Sequence, residues 1–207
     1  MPLFLRSACI FLLLLTAANV QAGSSLEEGI VQEMSLARTD PQAYAGFIRA
    51  FRARYRDNYY TLPGAENTHI VTQEGLPAVD EALHFLEKQK PVPQLTWSPG
   101  LALAAADLAR EQGKNGATGH IGKQSGDMKT RIERHGHWHT TIGENIAYGP
   151  DQARLVVMQL IIDDGVKNRG HRSNIYKPAF ATAGAGCGPH PGFRTVCVID
   201  YAGGFSD

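Results

Sequence analysis

The side-chain period changes near the C-terminus, and that change constrains the fold more than any other feature. Ala181 to Gly188 is small and Gly-rich, Pro189 to Gly192 is turn material, and Thr195 to Tyr201 alternates through Val196, Val198 and Ile199. Two strand-like runs around a Gly/Pro turn read as an antiparallel hairpin.

Everything before it reads mainly as helix. Ser25 is placed to cap a helix carrying Leu26, Ile30, Val31 and Met34, and Asp40-Pro41 is a second start, an acid followed by Pro at the first helical position. Tyr44, Phe47, Ile48 and Phe51 then recur at helical spacing. Residues 55–76 lose that period and collect Asn, Gly, Pro and Thr, which reads as a long surface loop. Pro77 opens a short helix through about Lys88. Ser98-Pro99 repeats the start signal ahead of Leu101, Ala104, Ala105, Leu108 and Gln112, whose small alanines let a neighbour approach closely; this helix should end near Gly113 or Gly116. Ser125 caps another short helix bearing Met128 and Ile132, and Asp151 caps the last, with Leu155, Val156, Leu160 and Ile162 inward. Many helices with a few strands between and after them define an α+β chain, layered as an α-β-α domain.

The first 22 residues read as an export address. Arg6 gives a positive start, Ala8 to Leu15 an apolar core, and Val20-Gln21-Ala22 a cleavage site. An uncleaved anchor would need about 20 apolar residues, more than this run supplies. The expectation is a signal peptide over 1–22 and one domain over 23–207, secreted or periplasmic, with no later membrane span. The whole chain balances 20 basic against 20 acidic residues, and losing Arg6 leaves 19 against 20. No basic patch for nucleic acid follows from that balance. Cys9 would leave with the signal, so Cys187 and Cys197 remain, one on each arm of the hairpin. An even pair in an oxidising compartment reads as a disulfide; two buried free thiols are the other reading.

Three strings join an ionisable side chain to tight backbone: Gly119-His120-Ile121-Gly122, Gly143-Glu144-Asn145-Ile146 and Gly170-His171-Arg172-Ser173-Asn174-Ile175. With Leu95-Thr96-Trp97 ahead of the Ala-rich helix, and Pro178 and Phe180 ahead of the hairpin, they resemble the bacterial branch of the CAP superfamily, the SCP-like proteins. That superfamily includes cysteine-rich secretory, antigen 5 and pathogenesis-related proteins. The resemblance spans most of residues 26–205, with an insertion at about 52–93. Ile162-Asp163-Asp164-Gly165 stands where relatives carry a Trp-bearing stretch. The resemblance implies an α-β-α sandwich with an open cleft lined by two histidines and two acids. His120, Glu144 and His171 match three of them; the fourth, an acid on the following helix, has no clean match, and Asp163 and Asp164, eight and seven residues before His171, are the candidates to fill it.

Residue chemistry leaves three roles open for this set. Two imidazoles and a carboxylate, His120, His171 and Glu144, suit zinc or another divalent cation with a position left for water. The same groups can form a metal-free acid/base pair, or a hydrogen-bonded network tying loops to the core. His135, His137 and His139 alternate, which reads either as an accessory metal patch or as a solvated turn. Arg172 and Asn145 read as structural donors.

The first functional expectation is an extracellular binding module whose ligand is a lipid, a sterol or a peptide. The second is a hydrolase. The chain has no His-Glu-x-x-His and no Gly-x-Ser-x-Gly, and Ser173 stands too close to His171 in sequence to serve as its nucleophile.

Overall fold

A computed structural model describes residues 25–62 and 65–206. The segment expected to be a signal peptide, with Cys9, lies outside the described residues. Among those described, no helix is long and apolar enough to cross a membrane.

Local signals set most helices where the sequence places them. The Ser25 hydroxyl accepts the Glu28 N–H at 3.2 Å and starts α1 (Leu26–Thr39). Asp40 accepts the Ala43 N–H at 2.9 Å and starts α2 (Pro41–Arg52). Helix α3 covers Leu76–Lys88, and α4 runs over Pro99–Asn115 from its Ser98 cap to Gly116 in left-handed backbone. Each cap satisfies amide or carbonyl groups that a helix end leaves unpaired.

Four readings need correction. The segment read as a loop instead carries a three-stranded antiparallel meander, β1 (Tyr55–Arg56), β2 (Tyr59–Leu62) and β3 (Ala65–Val71). Its Tyr55 and Tyr60 rings pack edge-on against Phe51 of α2 with centroids at 5.6 and 4.9 Å; those aromatic anchors outweigh the polar residues around them. Asp127, not Ser125, caps α5 (Met128–Arg134), accepting the Thr130 N–H at 2.8 Å. Asp151 pairs instead with Arg194 at 2.8 Å, and α6 (Ala153–Ile162) begins at Gln152 with no side-chain cap. A further helix, α7 (Gly170–Ile175), follows it and carries His171.

The four-stranded sheet contains β4 (Thr96–Trp97), β5 (His137–Tyr148), β6 (Thr182–His190) and β7 (Arg194–Ser206), in the order β4-β6-β7-β5. The terminal hairpin is therefore its central pair, and β5 is an edge. Cys187 and Cys197 face each other in the β6–β7 register and form the disulfide.

Glycine decides how the sheet meets α4. A Cβ on Gly184 would lie 2.1 Å from the Ala102 nitrogen, and one on Gly186 2.3 Å from that of Ala106. The Gly-rich arm thus exists to bring β6 backbone against helix backbone. The opposite sheet face, with Ala183, Ala185, Cys197, Ile199 and Tyr201, packs into the core shared with α1, α2, α3 and α6. The result is the α-β-α sandwich. Buried Arg38 of α1 ties that layer together, donating to Pro93 O and Ile175 O at 2.6 Å and to Phe180 O at 2.9 Å.

Candidate functional site

The alternation of β5 sends Glu144 and Asn145 to opposite faces of the sheet, and a histidine stands on each side. On the α4 side, Glu144 is buried and its Oε1 lies 2.7 Å from His120 Nδ1. Its Oε2 accepts from Arg131 Nη2 of α5. Tyr148 anchors the His120 turn, accepting the Gly119 N–H and donating to Gln112 Oε1, both at 2.9 Å. The Glu144 partner raises the His120 pKa above its ordinary value; partial burial opposes that shift.

Asp200 was not singled out from sequence, yet it stands directly opposite Glu144 in the β5–β7 register and is fully buried. Burial first, and the Glu144 charge second, push its pKa well above the usual carboxylate range against the pull of Arg131. Neither Asp200 oxygen has a hydrogen-bond partner among the described residues. The available signal was an acid on the face of an otherwise apolar strand.

On the other side, Asp163 closes α6 in left-handed backbone (φ 57°) and reaches the start of α7. Its Oδ1 lies 2.6 Å from His171 Nδ1, while Oδ2 accepts the His171 N–H at 2.9 Å. Asp164 has a different task. Its carboxylate accepts the N–H groups of Gln73, Glu74 and Gly75 at 2.6, 2.8 and 3.1 Å, fastening the end of the meander. Of these two acids, only Asp163 pairs with a histidine.

Asn145 ties the His171 side to the sheet. Its Nδ2 donates to His171 O and Tyr201 Oη at 3.0 Å, and its Oδ1 accepts from Asn174 Nδ2 at 2.9 Å. Arg172 is a structural donor, to Ile161 O and to Glu81. Ser173 Oγ donates to Arg169 O at 2.9 Å, within its own helix.

His171, Asp163 and Asp164 line a cavity of 360 Å³ whose other walls are Tyr55, Tyr60, Ile70 and Val71 of the meander and Ile146 and Tyr148 of β5. His120 and Glu144 line a separate pocket of 320 Å³ with Ile121, Asp127 and Met128. The two His–acid pairs thus flank the same edge strand from opposite layers.

A family model for the cysteine-rich secretory protein family, CAP, matches residues 48–201, from α2 through β7. The chain belongs to the CAP family. A solved structure of an extracellular protein containing an SCP domain from Bacillus anthracis str. Ames is similar, with a TM-score of 0.45 at 19% identity, covering 61% of this chain and 37% of that one. An outer surface protein from Borrelia burgdorferi gives a TM-score of 0.44 at 16% identity, covering 54% of this chain and 78% of that one. A search of curated protein sequences returns no match. In this CAP domain the meander forms a wall of the His171 cavity.

The donor set does not fit the three-ligand metal site read from sequence. Both Glu144 oxygens are committed, to His120 and to Arg131. Among the described residues no three His, Cys, Asp or Glu side chains cluster to hold an ion. The alternating histidines do not gather either: His135 Nε2 pairs with Asp107 at 2.9 Å, before β5 begins, whereas His137 and His139 are exposed on it. What the site does present is two imidazoles, each oriented by a buried carboxylate at Nδ1. That arrangement fixes the ring and aims the other nitrogen.

Proposed function

We propose that this CAP domain is an exported binding module whose ligand occupies the cavity between the meander and the edge of β5, beside His171. The observation that carries this reading is the composition of the cavity. Tyr55, Tyr60, Ile70 and Val71 supply apolar walls, and the Asp163-oriented imidazole supplies a fixed polar contact. Ligand sites are mostly apolar concavities with a few well-placed polar groups, of about 300–1,000 Å³. Val71 is 74% exposed, so its apolar side chain is accessible to a ligand. A larger cavity of 710 Å³ lies between α1 and β4 but holds no comparable polar pair. Export of the chain rests on the N-terminal pattern and on its family.

Binding of two probes tests this reading: laurate, and an end-capped pentapeptide, Thr-Val-Lys-Val-Thr. At least one should bind, and Val71→Asp should weaken it about tenfold without lowering Tm. Binding of neither probe, or binding unchanged by the substitution, contradicts it.

A second reading, hydrolysis, draws on the same His171–Asp163 pair, which has the geometry of an oriented general base. Ser173 does not accompany it as a nucleophile, since its hydroxyl donates to Arg169 O, so this reading has water attack. Turnover of peptide or ester substrates that Asp163→Asn abolishes, with the fold intact, is the expected mark of that reading. Its absence would leave binding alone.

A further inference from the structure

Strand β5 ends its sheet, and its backbone groups alternate in direction. The Gly149 N–H donates to Thr195 O at 2.9 Å, so Asn145 and Ala147 share their bonds with β7. Glu144, Ile146 and Tyr148 therefore turn N–H and C=O away from β7, as antiparallel pairing requires. The Glu144 carbonyl shows that direction directly, accepting from Asn174 Nδ2 at 3.1 Å. For Ile146 and Tyr148 no backbone partner is assigned on that side among the described residues. Both residues line the His171 cavity.

We propose that the β5 edge takes an extended peptide as an added strand, paired through the N–H and C=O groups of Ile146 and Tyr148. This inference rests on the cavity reading above and specifies its ligand. Four main-chain groups across three residues match a segment of about three residues, since a strand rises roughly 3.3 Å per residue. The open edge is bounded, because Asn174 closes it at Glu144 and Gly149 turns back to β7.

The chemistry selects a peptide over a lipid. An alkyl chain offers nothing to those four groups and a sterol only its one hydroxyl, which leaves most of them unpaired. An extended backbone satisfies them, as in other cases where a peptide extends a sheet. Alternate side chains of that peptide would meet Tyr55, Tyr60 and Val71. The acidic lining residues, Asp163 and Asp164, favour a neutral or basic segment over an acidic one.

The test compares four probes on the full protein: the capped Thr-Val-Lys-Val-Thr peptide, two versions of it N-methylated at alternate amides, and laurate. Strand addition predicts that the parent peptide binds and slows hydrogen exchange at the Ile146 and Tyr148 amides. It also predicts that at least one methylated version binds about tenfold more weakly or worse. Equal binding of all three peptides overturns the proposal. If laurate binds and no peptide does, strand addition fails while the cavity reading stands. If nothing binds, both fail.

Discussion

Glu144 and Asp200 face each other as register partners on β5 and β7, both buried, with the Arg131 guanidinium bound to Glu144. One cation beside two buried carboxyl groups leaves one of them favouring its proton, and the raised pKa assigns that proton to Asp200. The unfolded chain releases it near the ordinary value of about 3.9. Between that pH and the folded value, the unfolded state binds fewer protons, so stability falls as pH rises. Asp200→Asn keeps a neutral group there and removes this dependence. Thermal unfolding from pH 4 to 8 should give a flatter Tm profile for the variant, with its advantage greatest at high pH. Parallel profiles would show that Asp200 is ionised in the native state.

His120 titrates in the opposite sense. Its pKa is raised by the Glu144 hydrogen bond, so the contribution of the pair to stability is complete below about 6.5. It is lost as pH rises through the higher folded value. Proton NMR should place His120 above the ordinary value, and Glu144→Gln should return it to about 6.5 or below. A His120 pKa unmoved by Glu144→Gln would dissociate the pair.

The contact between β6 and α4 permits no side chain at Gly186. Gly186→Ala would force its Cβ to within 2.3 Å of the Ala106 nitrogen, and overpacking of this kind costs typically about 1–3 kcal/mol. At about 2–4 °C per kcal/mol for a chain of this size, Tm should fall by roughly 2–12 °C. Gly188→Ala is the control, since its nearest neighbour would be 3.9 Å away. Equal losses at both positions would contradict the account of this packing.

Asp164 fastens the meander through three backbone N–H groups. Asp164→Ala should speed hydrogen exchange at Gln73, Glu74 and Gly75 by about tenfold, since charge-assisted hydrogen bonds contribute about 1.5–3 kcal/mol. His171 should keep its Asp163 partner. Unchanged exchange in the 73–75 segment would show that the Arg169 bridges to Glu74 and Glu81 hold the meander without Asp164.

Local signals made part of this fold legible. Ser25, Asp40 and Ser98 cap their helices as residue chemistry dictates, and the alternation after Thr195 is the strand β7. Other parts depended on distant partners. The meander owes its existence to Tyr55 and Tyr60 meeting Phe51, a contact that no local period reveals. Strand β5 escaped notice because a polar sequence, His-Trp-His-Thr-Thr, opens it. At the site, His120, Glu144 and His171 stood out through the glycines beside them. The choice between Asp163 and Asp164 turned on backbone geometry, with Asp163 in left-handed conformation at the end of α6. Asp200 and Arg131 join Glu144 only through sheet register and helix placement.

The central claim is that ligand binds between the meander and the β5 edge, beside His171. Amide chemical shifts followed by NMR during titration with the capped pentapeptide and with laurate test it most directly. The account predicts shifts at Ile70 to Gln73, Ile146 to Tyr148 and Asp163 to His171. Shifts confined to the α1–β4 groove, around Ser35, Leu36 and Trp97, would contradict it.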